Sequence, residues 1–323
     1  MVPALVSIMA IAVLVYAVSR VESAQSIWEH LGRFDPRWGV LAFGANGLNL
    51  GLKALRFRYF LNARIRLRVM TRIVCMHSFW NNVLPYRSGE LSYLYLLKQQ
   101  SGITGGQSLV SLALARIFDV VALALMVVVA LGMGWFKAAM PAPTVVQTLV
   151  VALAMTLLIM TLWLLTRHGN ILATQIQHWV NTHTWFASGW PMHIAHKVTE
   201  TLQALGALRK PSALFAFTVL SLAVWLSDAG LMWLALKAGH VSLFWWQTLW
   251  VSLFPVLSAL IPMQGLAGVG TFEGTLTAGL ALLGVPAASA LGASLLVHLQ
   301  LLSFSAILGG MAYAWHLRAR RHP

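Results

Sequence analysis

A series of unbroken apolar runs constrains this chain more than anything else in it, among them Val2 to Val18, Val145 to Thr166 and Leu243 to Ile261. Each approaches the ~20 residues that a helix needs to cross about 30 Å of hydrocarbon, where backbone N–H and C=O groups must be bonded within the segment. Composition agrees, with 59% apolar residues and 9% charged, against about 25% charged in an ordinary soluble domain. A water-soluble globule is excluded. Transmembrane barrels alternate over segments of roughly ten residues, so they are excluded too. The expected fold class is an all-α integral membrane protein, one polytopic domain over residues 1–323.

The runs place spans at 2–19, 38–55, 106–131, 145–166, 213–236, 243–262, 266–284 and 287–316. The first basic residue, Arg20, follows the first run instead of preceding it, so that run is expected to stay as a helix and not to be cleaved as a signal peptide. The single cysteine, Cys75, excludes an internal disulfide. Sixteen basic residues collect in connectors on one side, from Lys53 to Arg72, at Arg87 and Lys98, through 167–212 and in the tail, and five collect on the other. The positive-inside rule then puts both termini in the cytoplasm. The net charge of +14 sits in these short connectors, which predicts anionic lipid at the cytoplasmic face as partner and no nucleic acid.

Two segments depart from plain spans. Residues 73–97 are broken at Pro85 and carry Asn81, Asn82, Arg87, Ser88 and Glu90 between two cytoplasmic basic sites, which predicts a re-entrant element covered by protein or a wet cavity. The loop 167–212 places Ile194, Val198, Leu202, Leu205 and Leu208 on one helical face, an interfacial amphipathic helix. Most of the 14 tryptophans, including Trp38, Trp179, Trp245 and Trp246, suit the headgroup belt.

Comparison of the chain with itself reveals an internal repeat. Leu84-Pro85 precedes Gly89-Glu90, an apolar stretch leads to Gly102-Ile103, and Arg116 follows Gly102 by 14 residues. Ile261-Pro262 precedes Gly268, Gly270 and Glu273, an apolar stretch leads to Gly284-Val285, and His298 follows Gly284 by 14. By the charge ledger the helix with Arg116 runs outward and the one with His298 runs inward. Inverted repeats typify secondary transporters, whose sites form on broken helices where the repeats meet; chance alignment in a Gly- and Leu-rich chain is the plainer alternative. Residues 262–284 are then a second broken-helix element. Six spans with two hairpins and seven or eight plain spans both satisfy the pattern.

An ionised group at a helix centre costs about 2.5–3.5 kcal/mol on insertion scales, so each needs a partner or a function. The group comprises Arg87, Glu90, Arg116, Asp119, Asp228, Glu273 and His298, with Asn82 beside them. Arg116 and Asp119, three apart, can pair with each other, or Arg116 can meet a phosphate headgroup in a cavity. Glu90 and Glu273, each close behind a glycine, suit the positive ends of half-helices, or they line a pathway. Two arginines against four carboxylates fit a zwitterionic or amine-bearing headgroup better than a bare anion. The run Gly265 to Gly270 lacks the strand and Lys-Ser/Thr of a phosphate loop. The histidines 178, 183, 193 and 196 lack a nearby Cys or Asp to complete a metal site. No cofactor, metal or catalytic constellation is expected, and an enzyme is disfavoured.

The run Asn82 to Glu90, then Arg116-Ile117-Phe118-Asp119, Pro262 and Gly268-Val269-Gly270-Thr271-Phe272-Glu273 resembles the flippase-like membrane domain of lysyl-phosphatidylglycerol synthetases, over residues 50–316. The resemblance implies about eight helices with re-entrant elements in a bacterial or archaeal inner membrane, and it places Arg87, Glu90, Arg116, Asp119 and Glu273 in or near a lipid pathway. In this chain His298 stands where arginine is expected, and Ala267 replaces the first glycine of a pair. The chain ends at Pro323 without an aminoacyl-transferase domain, so the expectation is a stand-alone member that moves another amphiphile: a phospholipid, glycolipid, polyprenyl-linked intermediate or hopanoid. The expected function is lipid movement between leaflets. A membrane-embedded lipid-phosphate transferase and a non-catalytic partner of lipid-synthesis enzymes are the alternatives.

Overall fold

The computed structural model describes residues 34–61, 65–84, 89–103, 105–136, 167–180, 211–258 and 266–321, with scattered positions between 164 and 202. The expected spans 2–19 and 145–166 and the amphipathic face 194–208 lie essentially outside them, as do Pro85, Arg87 and Pro262. Among the described residues the chain is helical, with no strand.

Helix α1 (Pro36–Phe60) opens with Asp35, whose carboxylate accepts from the Arg37 N–H at 2.9 Å, and with proline at its first position, where the missing N–H costs nothing. α2 (Leu67–Val83) ends before the Pro85 segment, and α3 (Glu90–Ser101) follows. α4 (Gly105–Phe136), α5 (Pro211–Ala238) and α8 (Ala287–Arg321) are the long helices. All three are apolar and long enough to cross a membrane. The described part of α6 is Trp245–Ser258, and a 3₁₀ turn at Leu266–Gly268 precedes the short α7 (Thr271–Leu282).

Within the expected spans at 243–262 and 266–284 the described residues form the helices Trp245–Ser258 and Thr271–Leu282, and 259–265 lie outside them. Twelve residues reach about 18 Å at 1.5 Å each, short of the ~30 Å hydrocarbon thickness. Positive φ at Ala267 (54°), Gly268 (69°) and Gly270 (86°) turns the chain between them; glycine supplies this conformation without a Cβ clash. α6 packs on α7, as α2 packs on α3.

Two larger apolar clusters pack most of the described helices. In the first, Leu50, Phe57, Ile73, Tyr93, Leu97 and Phe118 join α1, α2, α3 and α4, with Phe217 of α5 and Ala312 of α8 against them, and the Phe57 and Tyr93 rings lie 4.7 Å apart. The second, with Leu231, Leu236, Val251, Leu276, Leu280 and Val297, joins α5, α6, α7 and α8. α1 lies along α5, and α2 along α8, tying the halves together. At one end Lys237 sits 3.8 Å and 4.5 Å from the rings of Trp233 and Trp38, with Trp245 next to Trp233. These aromatics suit the belt, whereas Trp246 is only 1% exposed and belongs to the protein interior.

Candidate functional site

The polar residues at depth fall into three connected groups. On α1, Asn49, Lys53 and Arg56 recur at helical spacing and face α5. The Asn49 amide donates to Val224 O at 3.0 Å and to Ser227 Oγ at 2.7 Å. Lys53 Nζ reaches Asp228 at 3.4 Å. Arg56, 4% exposed, pairs with Asp119 of α4 and donates to Ser221 Oγ at 3.2 Å. Lys53 and Arg56, expected from sequence among the cytoplasmic connector charges, stand instead on α1, which continues to Phe60 and carries both into the bundle.

Asp119 collects the second group. Besides Arg56 it accepts from Trp225 Nε1 at 2.8 Å, and Arg116 Nη1 stands 3.8 Å from its second oxygen. The nearer partner of Arg116 is Glu90, at the first position of α3. The pair expected within one helix is thus part of a network across α1, α3, α4 and α5, with Arg116 half-exposed and Asp119 buried. Gly89 allows it. A Cβ there would sit 2.4 Å from Asn81 Cα, so only glycine lets α3 start against α2.

In the third group Glu273 and His298 meet at 2.7 Å between Oε1 and Nδ1. The second oxygen of Glu273 accepts from the Gly270 N–H at 2.7 Å, capping α7. Both residues are buried, 3% and 6% exposed. The Phe272 ring stacks on the imidazole with centroids 4.5 Å apart.

Beside these groups lies a cavity of about 310 Å³, walled by α2, α5, α6, α7, α8 and the 3₁₀ turn. Its polar lining comprises Asn81, Asn82, Asp228, Ser252, Thr271 and His298, with Gly268 on the turn. Asn82 donates to Ser305 Oγ at 2.7 Å. Asn81 Oδ1 is a buried acceptor with no partner among the described residues, which is costly unless something else occupies it.

Of the residues expected from sequence, Asn82, Asp228, Gly268 and His298 line this cavity, and Glu273 stands directly behind His298. Glu90, Arg116 and Asp119 form a separate cluster, joined to the cavity through Trp225, which touches both. Arg87 lies outside the described residues. Lys53, Arg56, Asn81 and Trp225 were missed. For the first two, the spacing from Asn49 carried a readable signal. Their inclusion sets three cations against four carboxylates among the described groups, so the acidic balance read from sequence largely disappears.

Glutamate and base pair in each half, Glu90 with Arg116 across 26 residues and Glu273 with His298 across 25. Each glutamate lies in the first turn of a 12-residue helix, Glu90 at its first position and Glu273 at its third, and Gly102 and Gly284 follow these helices at φ 65° and 83°. The order found by comparing the chain with itself therefore corresponds to a recurring arrangement of contacts.

Compared with the curated proteins, the chain has no significant match. The family model described as "Lysylphosphatidylglycerol synthase TM region" matches residues 4–309, nearly the whole sequence. The chain is a helical membrane protein belonging to the lysylphosphatidylglycerol synthase transmembrane-region family.

Proposed function

We propose that this protein moves a lipid or lipid-linked amphiphile between the leaflets of a bacterial inner membrane, as a transporter and not as an enzyme. The observation that carries this reading is the cavity, a space of about 310 Å³ within the helical bundle whose largely apolar wall carries Asn81, Asn82, Asp228, Ser252, Thr271 and His298. A headgroup crossing ~30 Å of hydrocarbon needs substitutes for its water. Asp228, the Asn81 carbonyl oxygen, Asn82 and Thr271 supply acceptors and donors for it, while the acyl tails stay in lipid. Membership of a family named for the membrane region of a lipid synthase supports a lipid as cargo.

In this reading α2–α3 and α6–α7 are re-entrant elements of two oppositely oriented halves, both termini are cytoplasmic, and the halves open the cavity alternately to each leaflet. Asp228, held by Lys53, contacts the headgroup directly. A hydrogen bond to a charged group contributes about 1.5–3 kcal/mol, so Asp228→Asn slows movement roughly tenfold or more.

The test uses proteoliposomes of phosphatidylcholine and phosphatidylglycerol, with headgroup-labelled members of both and an impermeant quencher outside. Protein-dependent loss of the protected inner-leaflet signal, with lipid masses unchanged, is the expected result. A new lipid species by mass would replace the reading with a transferase. Protection equal to that of empty vesicles, for both probes, would remove it.

A further inference from the structure

We propose that Glu273 and His298 form a proton-carrying site on the cavity wall, and that loading and release of its proton drive lipid movement. This rests on the transport reading above.

Two equivalent positions of the chain carry different bases. Both halves contain a 12-residue helix with a glutamate in its first turn, followed by a long helix whose basic residue contacts that glutamate. In the first half the base is Arg116, whose charge is permanent, and the pair is partly exposed. In the second half it is His298, whose imidazole, unlike a guanidinium, can hold or give up the proton that charges it, and the pair is buried beside the cavity. One slot of the repeated design therefore holds a cation that can be discharged.

The local geometry favours proton exchange at one atom. Nδ1 is engaged by Glu273 Oε1, and Gly270 N–H occupies Oε2, so the carboxylate is held on both oxygens. Nε2 has no protein partner among the described residues, and His298 lines the cavity. The Phe272 ring stacks on the imidazole and fixes its plane. Of the helices packed around His298, α2 presents the neutral Asn81 and Asn82, and α6 presents uncharged Ser252 and Pro255. α5 presents Asp228, whose charge is matched by Lys53 of α1, and α7 presents Glu273. His77, on α2, is turned to Gly89 O at 3.1 Å instead. Protonation at Nε2 thus takes this wall from one net negative charge to none, which alters its affinity for a charged headgroup. One proton enters from water on one side and leaves to water on the other, and no other bond changes.

Two measurements on the reconstituted full chain test this. In the first, ¹⁵N-histidine solid-state NMR follows the His298 ring from pH 5 to 8, assigned by its loss in His298→Gln or, if that variant does not fold, in His298→Arg. A change from one protonated nitrogen to two is expected, and a single state throughout overturns the proposal. The second applies a gradient of one pH unit across the vesicles described above, with the membrane potential clamped. One proton per lipid produces a steady leaflet imbalance approaching about tenfold, and His298→Arg, which copies the first-half pair, produces none at whatever rate it retains. Equal leaflets in the wild type, with lipid still exchanging, overturn the coupling alone. No exchange of either probe in any vesicle overturns the transport reading and the coupling with it.

Discussion

Arg56 and Arg58 stand two residues apart in one basic run, yet they serve different purposes. Arg58 donates to Ile65 O at 2.9 Å at the end of its helix, while Arg56 is buried against Asp119. The difference is helical phase: Asn49, Lys53 and Arg56 share the face that α1 turns to α5. That phase is legible in the sequence once the helix is known to reach Phe60. What hid it was the end of the apolar run at Leu55 amid clustered cations, which resembles a membrane boundary. Removing one partner of a buried pair costs about 3–5 kcal/mol, whereas replacing both by apolar residues is often close to neutral. Asp119→Leu alone should therefore destabilise the detergent-solubilised protein by about 3 kcal/mol, because Arg56 is left stranded. The double variant Arg56→Met, Asp119→Leu should recover most of that loss in thermal unfolding. A double variant no more stable than the single would show that Arg116 and Trp225, which also touch Asp119, need its charge more than Arg56 does.

Among the elements, the broken segments were legible from their prolines and glycines, and the lengths of the pieces were not. Apolar content at 243–284 is continuous, and only the structure shows that positive φ at Ala267, Gly268 and Gly270 precedes a helix as short as the 12 residues of α7. The pairing of α2 with α3 depends on close backbone approach at Gly89, a tertiary requirement with no periodic signature. Gly89→Ala should push the start of α3 away from Asn81 and Trp80, and overpacking of this kind costs about 1–3 kcal/mol. Gly47, in the interior of α1 with nothing within 4 Å of its would-be Cβ, is the contrast. Gly47→Ala should stabilise by about 0.5–1 kcal/mol through helix propensity. Thermal unfolding of the two variants under the same detergent conditions compares them directly, and similar losses in both would deny Gly89 its special role.

For the whole molecule, the all-helical membrane class was readable from run lengths alone. The pairing of α1 with α5 and of α2 with α8 was not, since contacts between distant apolar helices leave little trace in one sequence. Orientation is the feature on which alternating access depends. If the halves are inverted with cytoplasmic termini, α4 starts on the cytoplasmic side at Gly105, whereas α8 starts outside at Ala287 and ends inside near Arg321. The lone cysteine makes this directly measurable. In a Cys75→Ser background, Ala287→Cys should react with a membrane-impermeant maleimide added to intact bacterial cells, and Gly105→Cys should react only after the membrane is opened. Gly105 has open space around it, and Ala287 begins its helix, so neither substitution disturbs packing. Labelling of both positions from the same side would make the two halves parallel. A two-fold exchange of inward and outward openings about one cavity would then be geometrically impossible, however well the glutamate–base pairs correspond.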